Sequence, residues 1–159
     1  MKKLNRAGLA ILMCMVFFLP FWLTFGRGLL GSGGWMTIMY IFTYAPMLLV
    51  GLLAVWFLLR FREDVRETKS IGSLDSIVLL ALYVSIFLHG IFLLDGGDTP
   101  DSVNSVAMHV FGMDKSTSDA LDTMFASLCI LLFVVTLVLC IVEFRKKRAI
   151  TLALRSTAV

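Results

Sequence analysis

Charged residues are scarce in this chain, and four long stretches lack them altogether. Only 16% of the 159 residues are charged and 59% are hydrophobic, with a mean hydropathy of +0.93. Soluble domains carry about a quarter charged residues, and a small one exposes much of its surface to water. The composition therefore excludes an ordinary soluble domain and indicates a single membrane domain.

The uncharged stretches have the length of membrane-spanning helices. They are Ala7–Gly26, Gly28–Leu59, Ser76–Leu94 and Thr123–Val142. About 20 helical residues cross a hydrocarbon core of about 30 Å. Glycines crowd the start of the second stretch, so its span is expected to begin near Trp35. We predict an all-α polytopic membrane protein: a four-transmembrane-helix bundle with spans near 7–26, 35–59, 76–94 and 123–142, a loop 95–122 and a tail 143–159.

Three further absences exclude known classes of four-span protein. All three cysteines lie in predicted spans, whereas disulfide-forming quinone reductases, claudins and tetraspanins carry exterior cysteines. The first span lacks the acidic residue of small multidrug transporters. Only one histidine, His89, lies in a span, and two-haem membrane cytochromes b need four.

The first stretch also has the basic start and apolar run of a signal peptide. No A-x-A-like site follows it, and the run through Phe25 exceeds a usual signal h-region. We therefore expect a retained span.

The basic residues are divided unequally between the two sides of the predicted membrane. All but two of the 14 lysines and arginines fall in the N-terminal segment, the loop after the second span and the C-terminal tail; the exceptions are Arg27 and Lys115. The positive-inside rule then predicts a cytoplasmic N-terminus and C-terminus. Without N-x-S/T sequons or exterior cysteines, a bacterial inner membrane is favoured. The basic excess suits lipid headgroups, so no nucleic-acid partner is expected.

The loop 95–122 is predicted to contain a short amphipathic extracytoplasmic helix. Thr99 and Pro100 are typical of a helix start, and Gly112 of a helix end. The apolar face would comprise Val103, Val106, Ala107, Val110 and Phe111. The capping-box spacing from Ser116 to Asp119 predicts the start of the fourth helix.

His89 is the leading candidate for a functional side chain. Ala81, Ser85 and His89 recur at helical spacing, which suits close packing between helices. One interpretation makes His89 a proton relay or a haem or metal ligand. The other is a neutral histidine hydrogen-bonded across a helix interface.

The second span offers further candidates. Tyr40 and Tyr44 belong to a face that is expected to turn inward, and Pro46 is expected to kink the helix. The full face would comprise Thr37, Tyr40, Tyr44, Met47, Gly51 and Ala54.

A metal site can be drawn from His109 with other residues near the same side. The set would be His89, Asp95, Asp98, His109 and Asp114. Its spacing matches no compact ligand pattern. We therefore expect neither a bound metal nor a cofactor.

Polar groups are few within the predicted spans, which disfavours catalysis and ion-coupled transport. The leading hypothesis is a non-enzymatic accessory, chaperone or immunity-type subunit that binds another integral membrane protein. One alternative is a homo-oligomeric channel or small transporter that uses His89 and the second-span face. A second alternative is a membrane haem or redox protein with His89 as ligand.

Overall fold

The computed structural model describes residues 6–62, 65–66, 71–96 and 103–156, and helices make up most of them. The helices are α1 (Arg6–Phe21), a π-helical turn (Trp22–Gly26), α2 (Arg27–Leu29), α3 (Trp35–Phe42), α4 (Tyr44–Phe61), α5 (Ser73–Phe92), α6 (Val106–Phe111) and α7 (Lys115–Ser156). No β-strand occurs in the described part of the chain. The all-α prediction is confirmed.

Four spans are long and apolar enough to cross a membrane. They are Ala10–Leu29, Trp35–Phe61, Ser73–Phe92 and Lys115–Glu143, called the first to fourth spans below. The end of the first span, the start of the second, the end of the third and the start of the fourth meet at one end of the bundle. We call this the His89 end. At the opposite end, Arg62 Nη1 lies 3.0 Å from Asp75 Oδ2 and links the second span to the third.

Pro20 is followed by a π-helical turn that rotates the later residues of the first span about the helix axis. Proline has no N–H to donate within the helix, and the π-helical turn follows directly, with Arg27 N–H bonded to Trp22 O. Thr24 Oγ1 donates to the Pro20 carbonyl at 2.9 Å, so that acceptor is satisfied. One additional residue in a turn rotates all later residues by about 100° relative to an α-helix. This rotation brings Arg27 to a buried position.

The second span is broken at Thr43, as a kink from Pro46 predicts. Thr43 has φ −118° and ψ −68° and separates α3 from α4. Pro46 cannot donate to the Phe42 carbonyl, and its ring crowds that group. The predicted inward face is correct at Tyr40, before the break, and at Tyr44, directly after it, where both side chains are half-buried.

Beyond Tyr44, the predicted inward face of the second span is wrong at Met47 and Ala54. Met47 and Ala54 are exposed, whereas Leu52, Val55 and Leu59 are buried. Because the helix is interrupted, one face cannot be followed at a constant 3.6-residue period through Thr43.

The third and fourth spans form the largest contact between helices. The fourth span contributes Cys129, Thr136 and Cys140, which are all buried on one face as small packing residues. On the other side of the third span, the Trp22 ring stacks on Phe87 at 4.8 Å between centroids. The third span thus packs between the first and fourth spans.

The amphipathic helix before the fourth span is shorter than predicted. Gly112 ends α6 with a left-handed φ of 66°, which confirms the predicted end. The helix begins after Ser105, and the proposed start at Thr99 and Pro100 lies outside the described residues. Of the predicted apolar face, Val106 and Ala107 are buried, while Val110 and Phe111 are exposed.

The fourth helix begins at Lys115, one residue before the helix start predicted at Ser116 and well before the predicted span 123–142. The Asp114 carboxylate caps it, accepting from Ser116 Oγ at 2.6 Å and from Thr117 N at 2.8 Å. These hydrogen bonds to the ionised carboxylate lower the pKa of Asp114 to about 2. The cap is therefore Asp114 rather than Ser116. Asp119 and Asp122, which were assigned to the loop, lie on the helix.

Candidate functional site

Arg27 is completely buried at the His89 end of the bundle. Its Nη2 donates to the Leu93 carbonyl at the end of the third span and to Ser32 Oγ at 3.4 Å. The guanidinium carbon lies 5.9 Å from the centroid of the Tyr40 ring, in cation–π range. The sequence places Arg27 in a loop, but the structure places it on the helix and inside the bundle.

Asp95 is buried and caps the second span from a distant part of the chain. Its carboxylate accepts from Gly34 N at 2.9 Å, from Met36 N at 3.1 Å and from Thr37 Oγ1. The first N–H groups of a helix have no partner within it, so an acceptor here replaces the usual N-cap side chain. Asp95 therefore fixes the start of the second span against the segment after the third.

Gly34 allows this close approach. A Cβ at Gly34 would lie 2.5 Å from the Gly96 carbonyl oxygen and 2.9 Å from Asp95 Oδ1. The next residue, Trp35, donates its N–H to the same Gly96 oxygen at 3.0 Å. A side chain at position 34 would displace the Asp95 cap.

Two serines complete the capping at this end. Ser118 Oγ donates to the Phe92 carbonyl at 2.9 Å and lies 2.7 Å from Ser105 Oγ. Ser105 in turn caps α6 by accepting from Met108 N at 3.1 Å. Together with Arg27, these contacts satisfy helix ends that the bundle buries. These hydrogen bonds give most of the polar side chains at the His89 end a structural role.

His89 and Asp122 form a pair that helix capping does not explain. His89 Nδ1 lies 2.7 Å from Asp122 Oδ1, and their side chains are only 7% and 18% exposed. The Tyr44 ring meets the imidazole edge-on, with centroids 5.9 Å apart. Asp95 and Asp122 both lie close enough for their charges to act on Arg27. The polar cluster, defined as Arg27, His89, Asp95 and Asp122, is the candidate functional site.

The other predicted residues lie outside the polar cluster or at its edge. Ser85 is buried but donates to the Ala81 carbonyl of its own helix at 2.8 Å. Tyr40 and Tyr44 border the cluster through Arg27 and His89. His109 is exposed, and its ring packs against Gly31, which has a φ of +79°.

The residues proposed for a metal site are not assembled as one. His89, Asp95 and Asp114 make separate contacts, and Asp98 lies outside the described residues. In the described part of the chain, no three His, Cys, Asp or Glu side chains come together as potential ligands.

An apolar groove of about 300 Å³ opens beside the polar cluster. Tyr44, which touches His89, lines one end of it, with Met47 and Gly51 further along the second span. Ile86 of the third span and Phe133 of the fourth contribute to the opposite walls. The cluster and the groove are therefore adjacent, with Tyr44 shared between them.

The second and fourth spans, which flank the groove, have the smallest share of buried residues among the four spans. Over their most apolar stretches, 11% and 17% of the residues of the second and fourth spans are buried, against 44% and 39% in the first and third. The second and fourth spans thus present most of their apolar surface away from the bundle.

Comparison with protein-family models, curated proteins and solved structures gave no match. A function has to be argued from the site itself.

Two members of the polar cluster, Arg27 and Asp122, are not among the candidates that the sequence offers, and Asp95 is among them only as a possible metal ligand. A signal for Asp122 was present, since Ser118 and Asp122 are four residues apart and share a helix face. The predicted helix start near Ser116 already places Asp122 on the fourth helix, but the sequence does not show that this face turns toward the bundle. Arg27 had a weaker signal, as one of only two basic residues on a side rich in aspartate.

Proposed function

We propose that this chain is a non-enzymatic accessory protein that binds another integral membrane protein through the apolar groove. The groove between the second, third and fourth spans is the observation that carries the proposal. Its volume, about 300 Å³, is enough for several large side chains of a partner helix. The protein would act by holding or stabilising that partner.

The surface around the groove supports a helix as the partner. Met47, Val50 and Val134 are exposed large apolar residues, and Gly51 leaves room for close approach between helices. A Cβ at Gly51 would lie 3.1 Å from Phe133 Cζ, so the small residue lets the second and fourth spans approach each other beside the groove. Helices in membranes associate through such small residues flanked by larger ones.

The polar groups of the bundle also favour binding over catalysis. Arg27 and Asp95 are engaged in capping, and Tyr44 is the one hydroxyl-bearing side chain that the groove shares with the polar cluster. A site for group transfer needs several polar groups converging on an accessible cavity.

We further propose that the protein lies in a bacterial inner membrane with its N- and C-terminal segments in the cytoplasm. The described connections support alternating directions for the four spans. The His89 end, which carries Arg27, Asp95 and Asp114, would then face away from the cytoplasm, as the distribution of lysine and arginine requires.

Site-specific photo-crosslinking in native membranes tests the proposal. A benzophenone amino acid placed at Met47 or at Val134 lies in the groove. Leu80 on the third span is the matched control, because it is 60% exposed and Met47 74%, but it lies outside the groove. We expect both groove positions to give a light-dependent adduct with one polypeptide of defined mass, and Leu80 to give none.

Three other results would contradict the proposal. Adducts with lipid alone at the groove positions would mean that the bilayer fills the groove. Equal polypeptide adducts from Leu80 would mean that the contacts are not specific. An adduct of twice the mass of the chain would instead favour the homo-oligomeric alternative.

A further inference from the structure

The charges of the polar cluster do not cancel unless it binds a proton. Arg27 carries one positive charge, and Asp95 and Asp122 carry two negative charges when ionised. All three are largely removed from solvent. A net charge buried in a low-dielectric region is costly. A charged His89 would bring the sum to zero.

The position of His89 favours the imidazolium form. The residue lies in the last turn of the third span, where the exposed carbonyls of the helix favour a cation. The separation of 2.7 Å between Nδ1 and Asp122 Oδ1 is within ion-pair distance, and neither of these buried atoms has a hydrogen-bond partner in the described part of the chain. Both helix and partner thus stabilise a proton on this ring.

The other titratable groups beside the polar cluster do not change this sum. They are Tyr40, which lies near Arg27, Tyr44, which meets His89, and Cys129, which lies near Asp122. The phenols and the thiol are uncharged near neutral pH. His109 of α6 lies exposed against Gly31 rather than in the cluster.

We propose that His89 and Asp122 form a proton-binding site that links the third and fourth spans, with the proton held as an imidazolium–carboxylate pair. The fourth span is attached to the third at this end by two polar contacts one helical turn apart. Ser118 binds the Phe92 carbonyl, and Asp122 binds His89. Only the second contact depends on a proton.

Loss of the proton weakens this link. Deprotonation leaves two carboxylates against the single charge of Arg27 and removes the ionic attraction between His89 and Asp122. We therefore expect the link between the third and fourth spans to weaken when the proton is lost. This inference does not depend on whether a partner occupies the groove.

NMR of the protein labelled with 15N in its imidazole rings tests the proposal directly. The chain has only two histidines, and a His109→Asn variant assigns their signals. At about pH 7.5 an ordinary imidazole is about one-tenth protonated. We expect His89 to be mostly imidazolium at that pH in wild-type protein and in Asp119→Asn, which alters an exposed aspartate on the same helix. In Asp122→Asn we expect it to be mostly neutral.

Two results would overturn the proposal. One is a neutral His89 at about pH 7.5 in the wild-type protein. The other is an imidazolium that persists in a folded Asp122→Asn variant. If that variant does not fold, the wild-type titration decides alone.

Discussion

Arg27 shows how a single buried charge holds several segments together. Its guanidinium binds the end of the third span through Leu93, reaches Ser32 in the first connection and lies over the Tyr40 ring. Asp95 makes the complementary contacts, accepting three hydrogen bonds at the start of the second span. Neither residue contacts the solvent. Removing either therefore leaves buried groups without their partners.

Replacement of Arg27 by methionine should strongly destabilise the protein. The side chains are similar in length, but Arg27→Met leaves the Leu93 carbonyl unbound and the buried carboxylates without their nearby cation. Loss of one member of a buried charged set costs about 3–5 kcal/mol. Unfolding in detergent, followed by circular dichroism, measures the change in the free energy of unfolding.

Arg66→Met is the matched control, because Arg66 is exposed and its loss should cost less than about 0.5 kcal/mol. The double variant Arg27→Met, Asp95→Asn should lose less stability than the sum of the single variants, since one opposing charge leaves with the arginine. Equal effects of Arg27→Met and Arg66→Met would show that Arg27 contributes no more than an exposed arginine.

The sequence identified His89 but not the residue it meets, and the reason lies in how spans are recognised. A membrane span is recognised in a sequence as a stretch without charged residues. A charged residue near the end of the same helix is therefore assigned to a loop. Arg27 and Asp122 were both excluded in this way. Their burial depends on partners from distant segments, and a one-dimensional pattern does not contain those partners.

The first span depends on a local helix defect to pack correctly. Pro20 and the π-helical turn orient Trp22 so that its Nε1–H donates to the Phe87 carbonyl at 3.1 Å. The Trp22 ring then lies against Gly90 of the third span. A Cβ at Gly90 would be 2.5 Å from Trp22 Nε1 and 2.9 Å from Leu23 Cδ2. The two helices approach this closely only because position 90 lacks a side chain.

Gly90→Ala should therefore separate the first and third spans. Trp22 cannot move aside cheaply, since it is stacked on Phe87 and hydrogen-bonded to its carbonyl. Inserting a methyl group into such a contact costs about 1–3 kcal/mol, even though alanine is the better helix former. The thermal midpoint in detergent should fall, and tryptophan fluorescence should shift as Trp22 loses its hydrogen bond.

Gly28→Ala tests whether the effect comes from packing. No atom outside its own helix lies within 4 Å of the position of a Cβ at Gly28, which is also helical. The midpoint should be unchanged or slightly raised in this variant. A decrease as large as that of Gly90→Ala would mean that glycine is needed for backbone freedom rather than for close approach.

The sequence predicts the number and type of the membrane-spanning helices better than the rotation of each helix about its own axis. Length and hydropathy determine that four helices form, and the missing N–H of Pro46 determines that the second one breaks. The rotation of α4 after Thr43 was not predicted. A helix interruption rotates the buried face of the second half relative to that of the first half. The size of this rotation depends on how the two halves pack against neighbouring helices.

The whole molecule has a strongly unequal distribution of charge between its two ends. In the sequence, lysine and arginine concentrate in the N-terminal segment, the connection after the second span and the C-terminal segment, and aspartates concentrate in the connection after the third span. During insertion, segments rich in lysine and arginine are retained in the cytoplasm. The orientation is therefore a prediction that charge alone makes.

Cysteine labelling of intact cells measures that orientation. In a variant with its three native cysteines replaced by alanine, a single cysteine is placed at Lys115 or at Arg66, both of which are exposed. A membrane-impermeant maleimide should label Lys115→Cys in intact cells, but Arg66→Cys only after lysis. The reverse pattern would place the His89 end in the cytoplasm. Labelling of both sites in intact cells would indicate two orientations, and restoring each removed charge at a neighbouring loop position would then show whether the basic bias controls insertion.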